Sequence, residues 1–300
     1  MKTLKESILS STKTGKAAVT PNTKEELIKM IKEEISKNGN NCSLNNINTS
    51  NITDMSYLFH FSYLSHFNGD ISKWNVSKVE DMDHMFAESD FNGDISNWDV
   101  RNVENMNYMF AESDFNGDIS KWNVSKVQNM NSMFASSKFN RDISNWNVGK
   151  VKDMSSMFAS SKFNGDISNW NVRKVENMHY MFTYSKFNRD ISKWNVSSVR
   201  DMSWMFAYSK FNGDISKWNV RKVEDMNNMF LNSKFNGDIS KWKVNNVTNM
   251  EHMFYDSEFK QDISNWNINP ECDINAMFAY CPIPDRYKIQ KNRKSFWDWR

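Results

Sequence analysis

One aspartate recurs every 24 residues through most of this 300-residue sequence. The members of this aspartate column are Asp70, Asp94, Asp118, Asp142, Asp166, Asp190, Asp214, Asp238 and Asp262. If neighbouring repeats stack about 5 Å apart, these carboxylates repel one another unless something satisfies them. A ladder of calcium ions is one solution, because calcium binds clustered carboxylate and carbonyl oxygens. We favour the other, in which each aspartate accepts N–H groups of its own turn, since the local Gly-Asp-Ile-Ser sequence offers few oxygens.

Residue types that support catalysis are present but are not grouped. His84, His179 and His252 fall in separated repeats, and His60 with His66 would make only a weak metal site. No Ser–His–Asp set or Cys–His pair has a supporting context. We therefore expect no catalysis, no cofactor and no metal.

Two positions in each repeat vary while their neighbours stay fixed. The first variable column lies two places after the first Met (His84 to His252), and the second variable column lies four places further on (Glu88 to Asp256). On a helix whose Met residues face inward, both would point outward. We predict that adjacent repeats group the following residues, called the aromatic cluster: Tyr180, Tyr184, Trp204 and Tyr208. Exposed aromatic side chains suit a binding hot spot; alternatively, the rings only stack and stabilise the array.

Basic residues recur beside the tryptophans. Lysine precedes Trp in some repeats, and arginine follows three places after it in others. These residues are Lys73, Arg101, Lys121, Arg173, Lys193, Lys217, Arg221 and Lys241. We expect them to form a mildly basic strand face, a weaker candidate site for anionic glycans or acidic proteins. Solvated charge that keeps the chain soluble is the alternative.

The tryptophans define the repeat that positions all of these residues. They are Trp74, Trp98, Trp122, Trp146, Trp170, Trp194, Trp218, Trp242 and Trp266, each 24 residues apart. The unit approximates F-N-G-D-I-S-x-W-N-V-x-x-V-x-x-M-x-x-M-F-A-x-S, and a degenerate copy precedes the first. Because one such unit cannot bury its apolar side alone, the copies must stack around a continuous core.

Each unit divides into a predicted strand and a predicted helix. Ile95, Trp98 and Val100 have the L-x-x-L-x-L spacing of a leucine-rich-repeat strand. The apolar residues that follow are spaced three or four residues apart, as they would be on one face of a helix. They are Val103, Met106, Met109 and Phe110. Ser77, with Glu80 three places later, matches a capping box at the helix start.

These elements predict an α/β repeat solenoid. It is a leucine-rich-repeat-like right-handed coil with a short parallel strand and a helix in every unit, and a helical cap at the N-terminus. The expected organisation is a flexible segment at 1–21, a helical cap at 22–43, the solenoid at 44–281 and a C-terminal cap or tail at 282–300. Within the first cap, residues 22–38 form an amphipathic pattern of helical period.

Composition excludes several classes of protein. The 38 basic and 36 acidic residues give a net charge of +2, so we expect no nucleic-acid partner. Charged content of 25% and aromatic content of 14% argue against a disordered chain. The sequence contains no run of 18 apolar residues, so we expect no membrane span. The N-terminal residues lack the pattern of a signal peptide or lipid-attachment site, which favours a cytoplasmic location.

The repeat resembles those of BspA-type leucine-rich-repeat surface proteins, in the Trp/Met-rich subclass with W-N-V-S-x-V-x-x-M-x-x-M-F. The resemblance covers about residues 44–280. It implies a curved solenoid that serves adhesion or protein–protein contact on bacterial surfaces without catalysis. We therefore expect a non-catalytic binding module whose partner is an unidentified protein or glycan. The alternative is a structural spacer or particle component with no specific ligand.

Overall fold

The computed structural model describes residues 20–60 and 63–289. One α-helix, α1, spans Lys24–Asn38, and two 3-10 helices span Tyr63–His66 and Asp285–Tyr287. Within the described ranges no β-strand forms, and repeats are paired only by isolated parallel bridges. The predicted α/β solenoid of leucine-rich-repeat type, with a strand and a helix in every unit, is therefore wrong.

Helix α1 lies where the sequence predicted an amphipathic one. The Thr23 hydroxyl accepts the Glu26 N–H at 3.3 Å and so caps its N-terminus. Gly39, with φ of 79°, ends it in a conformation that glycine adopts at no steric cost. One face is buried against the first repeats: Leu27, Ile31 and Ile35. The segment 1–19, which includes most of the predicted flexible region, lies outside the described residues.

Backbone hydrogen bonds join successive repeats, in place of the bonds that a helix would form within each repeat. A parallel bridge joins the same position of successive units, as in Asn105 with Asn129. The N–H of Tyr108 donates to the carbonyl oxygen of Asn131 at 2.8 Å, and the N–H of Phe110 donates to that of Met133 at 3.0 Å. Each unit therefore satisfies much of its backbone through the next unit.

The segment predicted as a helix is a pair of tight turns. The N–H of Met109 bonds the carbonyl oxygen of Met106 at 3.4 Å, and that of Ser113 bonds Phe110 at 3.4 Å. The third residue of each turn, Tyr108 and then Glu112, has a positive φ of 52° and 54°. A right-handed helix needs negative φ throughout. The spacing of three and four arises because each turn returns its apolar side chains to the core.

The predicted strand and capping box are also turns. The Trp98 N–H bonds the Ile95 carbonyl oxygen at 3.1 Å, which closes a turn where a strand was expected. The Ser77 N–H donates to the Asn75 side-chain oxygen at 3.0 Å, and no helix follows Ser77. Glu80 does not cap; its N–H bonds the preceding repeat. The asparagine before the expected cap therefore shapes this part of the unit.

The core is a set of parallel side-chain columns. Trp98 and Trp122 stack with ring centroids 6.5 Å apart, and the Trp122 indole N–H donates to the carbonyl oxygen of Ile95 at 3.1 Å. At the C-terminal end, Ile283 and Ile289 are buried in the same core. Residues 290–300, the rest of the predicted C-terminal cap or tail, lie outside the described residues.

Candidate binding site

Each side chain of the aspartate column accepts a hydrogen bond within its own turn. The Asp94 side-chain oxygen accepts the Ser96 N–H at 2.9 Å, and the same bond recurs at all nine positions. This bond, with one from the Ser96 hydroxyl, holds the pKa of Asp94 below its usual range. The carboxylates thus serve their own turns, as the favoured interpretation predicted. Among the described residues, no three His, Cys, Asp or Glu side chains are grouped to hold a metal.

An asparagine column links the repeats on the surface. The Asn68 side-chain oxygen accepts the Asn92 N–H at 2.8 Å, and the Asn92 oxygen accepts the Asn116 N–H at 2.8 Å. The ladder continues to Asn236, which accepts the Lys260 N–H at 2.9 Å. The asparagine side chains of this column therefore bond neighbouring repeats. The two variable columns are the better candidates for ligand binding.

The four residues of the aromatic cluster come together as two stacked pairs. Tyr180 and Trp204 lie with ring centroids 5.1 Å apart and planes 6° apart. Tyr184 and Tyr208 stack at 4.4 Å and 3°. Tyr184 is 57% exposed and Tyr208 is 38% exposed, whereas Tyr180 and Trp204 are half-buried. The pairs make two neighbouring aromatic walls on the surface.

Backbone turns, rather than helix geometry, place these rings outward. All four residues have positive φ, between 55° and 59°. The same conformation occurs throughout both variable columns, including Ser132 and Ser136. Each such residue is the third of a tight turn. The turn directs the large side chains of these columns, such as Tyr184 and Tyr208, to the surface, whereas the small side chain of Ser132 stays buried. The outward placement was predicted for the wrong structural reason.

Buried neighbours support the two aromatic walls. The Thr183 hydroxyl, which is buried, donates to the carbonyl oxygen of Trp204. Ala207 is likewise buried beside Tyr208. Partial burial raises the pKa of the Tyr180 and Tyr208 phenols. Their hydroxyl groups can donate hydrogen bonds. The walls thus combine apolar ring surface with hydroxyl donors.

All eight basic residues of the predicted strand face are exposed, although no strand supports them. Lys217, Arg221 and Lys241 line one cavity of about 300 Å³. Arg101 instead pairs with Asp99 at 2.7 Å. Lys73, Lys121, Arg173 and Lys193 lie elsewhere and do not line that cavity.

Sequence reasoning missed one member of this basic cavity. Lys243 lines it together with Lys217, Arg221 and Lys241. In most repeats the residue after the tryptophan is asparagine, and Lys243 replaces it. That departure was the available signal, and it makes this stretch the most basic part of the surface beside the tryptophans.

Across residues 20–60 and 63–289, none of the helices has the length and apolar character needed to cross a membrane.

The family of this chain follows from its repeats. Residues 26–138, 88–190, 113–210 and 183–289 each match the family described as "Mycoplasma protein of unknown function, DUF285". The matches overlap and span more than half of the sequence, so the chain belongs to this family of repeat proteins. No curated protein and no solved structure matches the chain. The resemblance to BspA-type surface proteins therefore stays an expectation.

Proposed function

We propose that this protein is a non-catalytic binding module, in adhesion or protein–protein contact, whose ligand docks on the aromatic cluster. The observation that carries the proposal is the pair of aromatic stacks at the surface, the half-buried Tyr180 with Trp204 and the exposed Tyr184 with Tyr208. Tyrosine and tryptophan provide large contact areas at low cost in side-chain entropy, which is why they dominate binding hot spots.

Charge beside the cluster narrows the ligand chemistry. Lys162, Lys186 and Lys210 follow the second variable column by two places and are exposed. None of the three forms an ion pair with another described residue, whereas Lys138 pairs with Asp114 at 2.7 Å. Unpaired lysines beside aromatic rings favour a protein or glycan that carries carboxylate or sulfate groups.

A structural spacer is the second candidate function. The stacking of Tyr180 on Trp204 at 5.1 Å favours it, because the same contact stabilises neighbouring repeats whether or not a ligand binds. The two candidates differ in their response to loss of the exposed rings. A spacer keeps its only function as long as the array stays folded.

The test replaces one ring of each stack with the residue that other repeats use. Serine occupies the same columns at Ser132 and Ser136 with the same positive φ, so W204S/Y208S should fold. Tyr280→Ser is the matched control, because Tyr280 lies 24 residues after Asp256, the last member of the second variable column. It has the same positive φ, is 79% exposed and sits at the far end of the array.

The measurement is binding of the full chain to an array of neutral and acidic glycans and to a panel of acidic peptides. We expect specific binders, with W204S/Y208S weakened on the order of tenfold or more and the Tyr280→Ser variant unchanged. Unfolding in urea shows that each variant is folded. Absence of any binder, or equal binding by wild type and W204S/Y208S, would refute the binding role and favour the spacer.

A further inference from the structure

A second cavity opens in the variable columns, in the repeats nearer helix α1. It measures about 170 Å³ and lies between the first column, at His84 and Tyr108, and the second column, at Glu88 and Glu112. Ala87 and Ala111 form part of its lining. The cavity has room for the head group of one small molecule or side chain, and it is separate from the aromatic cluster.

One wall of this cavity is formed by His84 and Tyr108, which are the last two rings of a three-ring stack that begins at Tyr57. Tyr57 and His84 are parallel with centroids 4.6 Å apart, and His84 and Tyr108 follow at 4.3 Å. The next residue in the column is Ser132, whose one-carbon side chain cannot extend the stack. The outer part of the Tyr108 ring therefore keeps an open face, and Tyr108 is 38% exposed. Such a face attracts cations through the ring quadrupole.

The opposite wall carries two negative charges with no partner. The Glu88 and Glu112 side chains are exposed and form neither a hydrogen bond nor an ion pair with another described residue. The ring nitrogen of His84 lies 2.8 Å from the Asp83 carboxylate, so Asp83 balances any charge on His84. The negative potential of the two glutamates is therefore available to a ligand.

From this combination we infer that the cavity binds a small organic cation, an alkylammonium or guanidinium group. The cation would lie against the open face of Tyr108 and be neutralised by Glu88 and Glu112, while the alanines contact its apolar part. The same chemistry is presented by a free quaternary ammonium compound and by a lysine or arginine side chain. The site goes beyond the proposed function, since it uses other residues and a ligand of opposite charge.

Calorimetric titration of the full chain tests the assignment with defined probes. They are choline, its uncharged isostere 3,3-dimethyl-1-butanol, and the N-acetyl methylamides of lysine and arginine. We expect at least one cation to bind on the order of tenfold more tightly than the butanol. Tighter binding of the lysine or arginine amide would identify a protein side chain as the source, and tighter binding of choline a free compound.

Variants separate the roles of charge and ring. E88Q/E112Q keeps the shape of both side chains and should weaken the cation about fivefold to twentyfold. Tyr108→Ser, which installs the residue found at Ser132, should weaken it several-fold by removing the ring face. Glu104→Gln removes one charge outside the cavity and should change binding less than about twofold.

Two results would overturn the assignment. One is binding of every cation no tighter than that of the butanol, and the other is unchanged cation binding by folded E88Q/E112Q. W204S/Y208S should bind the cation as tightly as wild type does. The test of the cation site therefore does not depend on whether the aromatic cluster binds a ligand.

Discussion

At the scale of single residues, the aspartate column makes stability depend on pH. The Ser96 N–H holds the pKa of Asp94 below its usual range, and the pKa of Asp166, Asp214 and Asp238 is lowered in the same way by the serine two places on. A lowered folded-state pKa adds stability above the unfolded-state pKa of about 3.9 and loses it as pH falls through the folded-state value. Because these carboxylates are largely exposed, each contribution is small and is screened by solvent.

We therefore predict that replacing several column aspartates with asparagine reduces the acid sensitivity of the protein. Asparagine keeps a side-chain oxygen for the turn, as Asn75 does, but cannot titrate. Urea midpoints at pH 6 and pH 3 should differ less in D166N/D214N/D238N than in wild type. The alanine triple variant should be less stable at both pH values because it loses the acceptor. An identical pH dependence in wild type and the asparagine variant would contradict this account.

Residue-level inference from the sequence succeeded where the chemistry was local. The Gly-Asp-Ile-Ser segment indicated an aspartate that bonds its own turn, and Asp94 does so. The ring at position 108 was also expected to point outward, although the expectation assumed a helix where the structure has a turn of positive φ. The uncovered face of Tyr108 beside Glu112 could not, because it depends on which repeats are neighbours and on how His84 stacks.

At the scale of elements, the two variable columns replace a helix with turns of positive φ. Ser156 has a φ of 55°, and Lys29 lies within helix α1. Glycine at φ near +55° avoids the clash that an L side chain suffers, whereas glycine inside a helix loses more chain entropy than alanine. The same substitution should therefore have opposite signs at these two positions.

We expect Ser156→Gly to be more stable than Ser156→Ala by about 1 kcal/mol. Lys29→Gly should be less stable than Lys29→Ala by about 0.5–1 kcal/mol. Urea unfolding monitored by circular dichroism measures both differences. A helix at the Met–Phe segment would instead make glycine the less stable residue at both positions, which is the outcome that contradicts the turn structure.

The periodicity of apolar residues predicted a helix where the structure has two tight turns. The prediction failed because a helix and these turns bury side chains at similar spacing. Val103, Met106, Met109 and Phe110 are all buried, as a helix would place them. The distinction lies in the backbone partner, since the Phe110 N–H bonds Met133 of the next repeat. Nothing in a single unit specifies that partner, so it becomes visible only when repeats stack. Helix α1 was predictable because its bonds are local and its caps, Thr23 and Gly39, are sequence signals.

At the scale of the whole molecule, each repeat is bonded chiefly to its two neighbours. Bridges join Asn105 to Asn129 and Asn129 to Asp153, and the tryptophan ladder has the same period. Stability should therefore be close to a sum of nearest-neighbour terms. The 24-residue register matters more than the total number of repeats, because every ladder requires the same residue type at equal intervals.

Deleting residues 141–164 removes one complete unit and joins Asn140 to Gly165, which restores the sequence of a normal repeat. We predict that this variant folds with the same circular dichroism per residue, unfolds at a lower urea concentration, and is shorter by about 5 Å in small-angle scattering.

Deletion of 141–163 is the matched control, because it removes one residue fewer and shifts every later ladder by one place. The tryptophan, methionine and phenylalanine columns of the two halves then cannot align, so we expect loss of cooperative unfolding or separation into two shorter stacks. If both variants instead unfold alike, alignment of neighbouring repeats does not stabilise the array. The parallel bridges through Asn129 and the tryptophan stack through Trp122 would then contribute little to its stability.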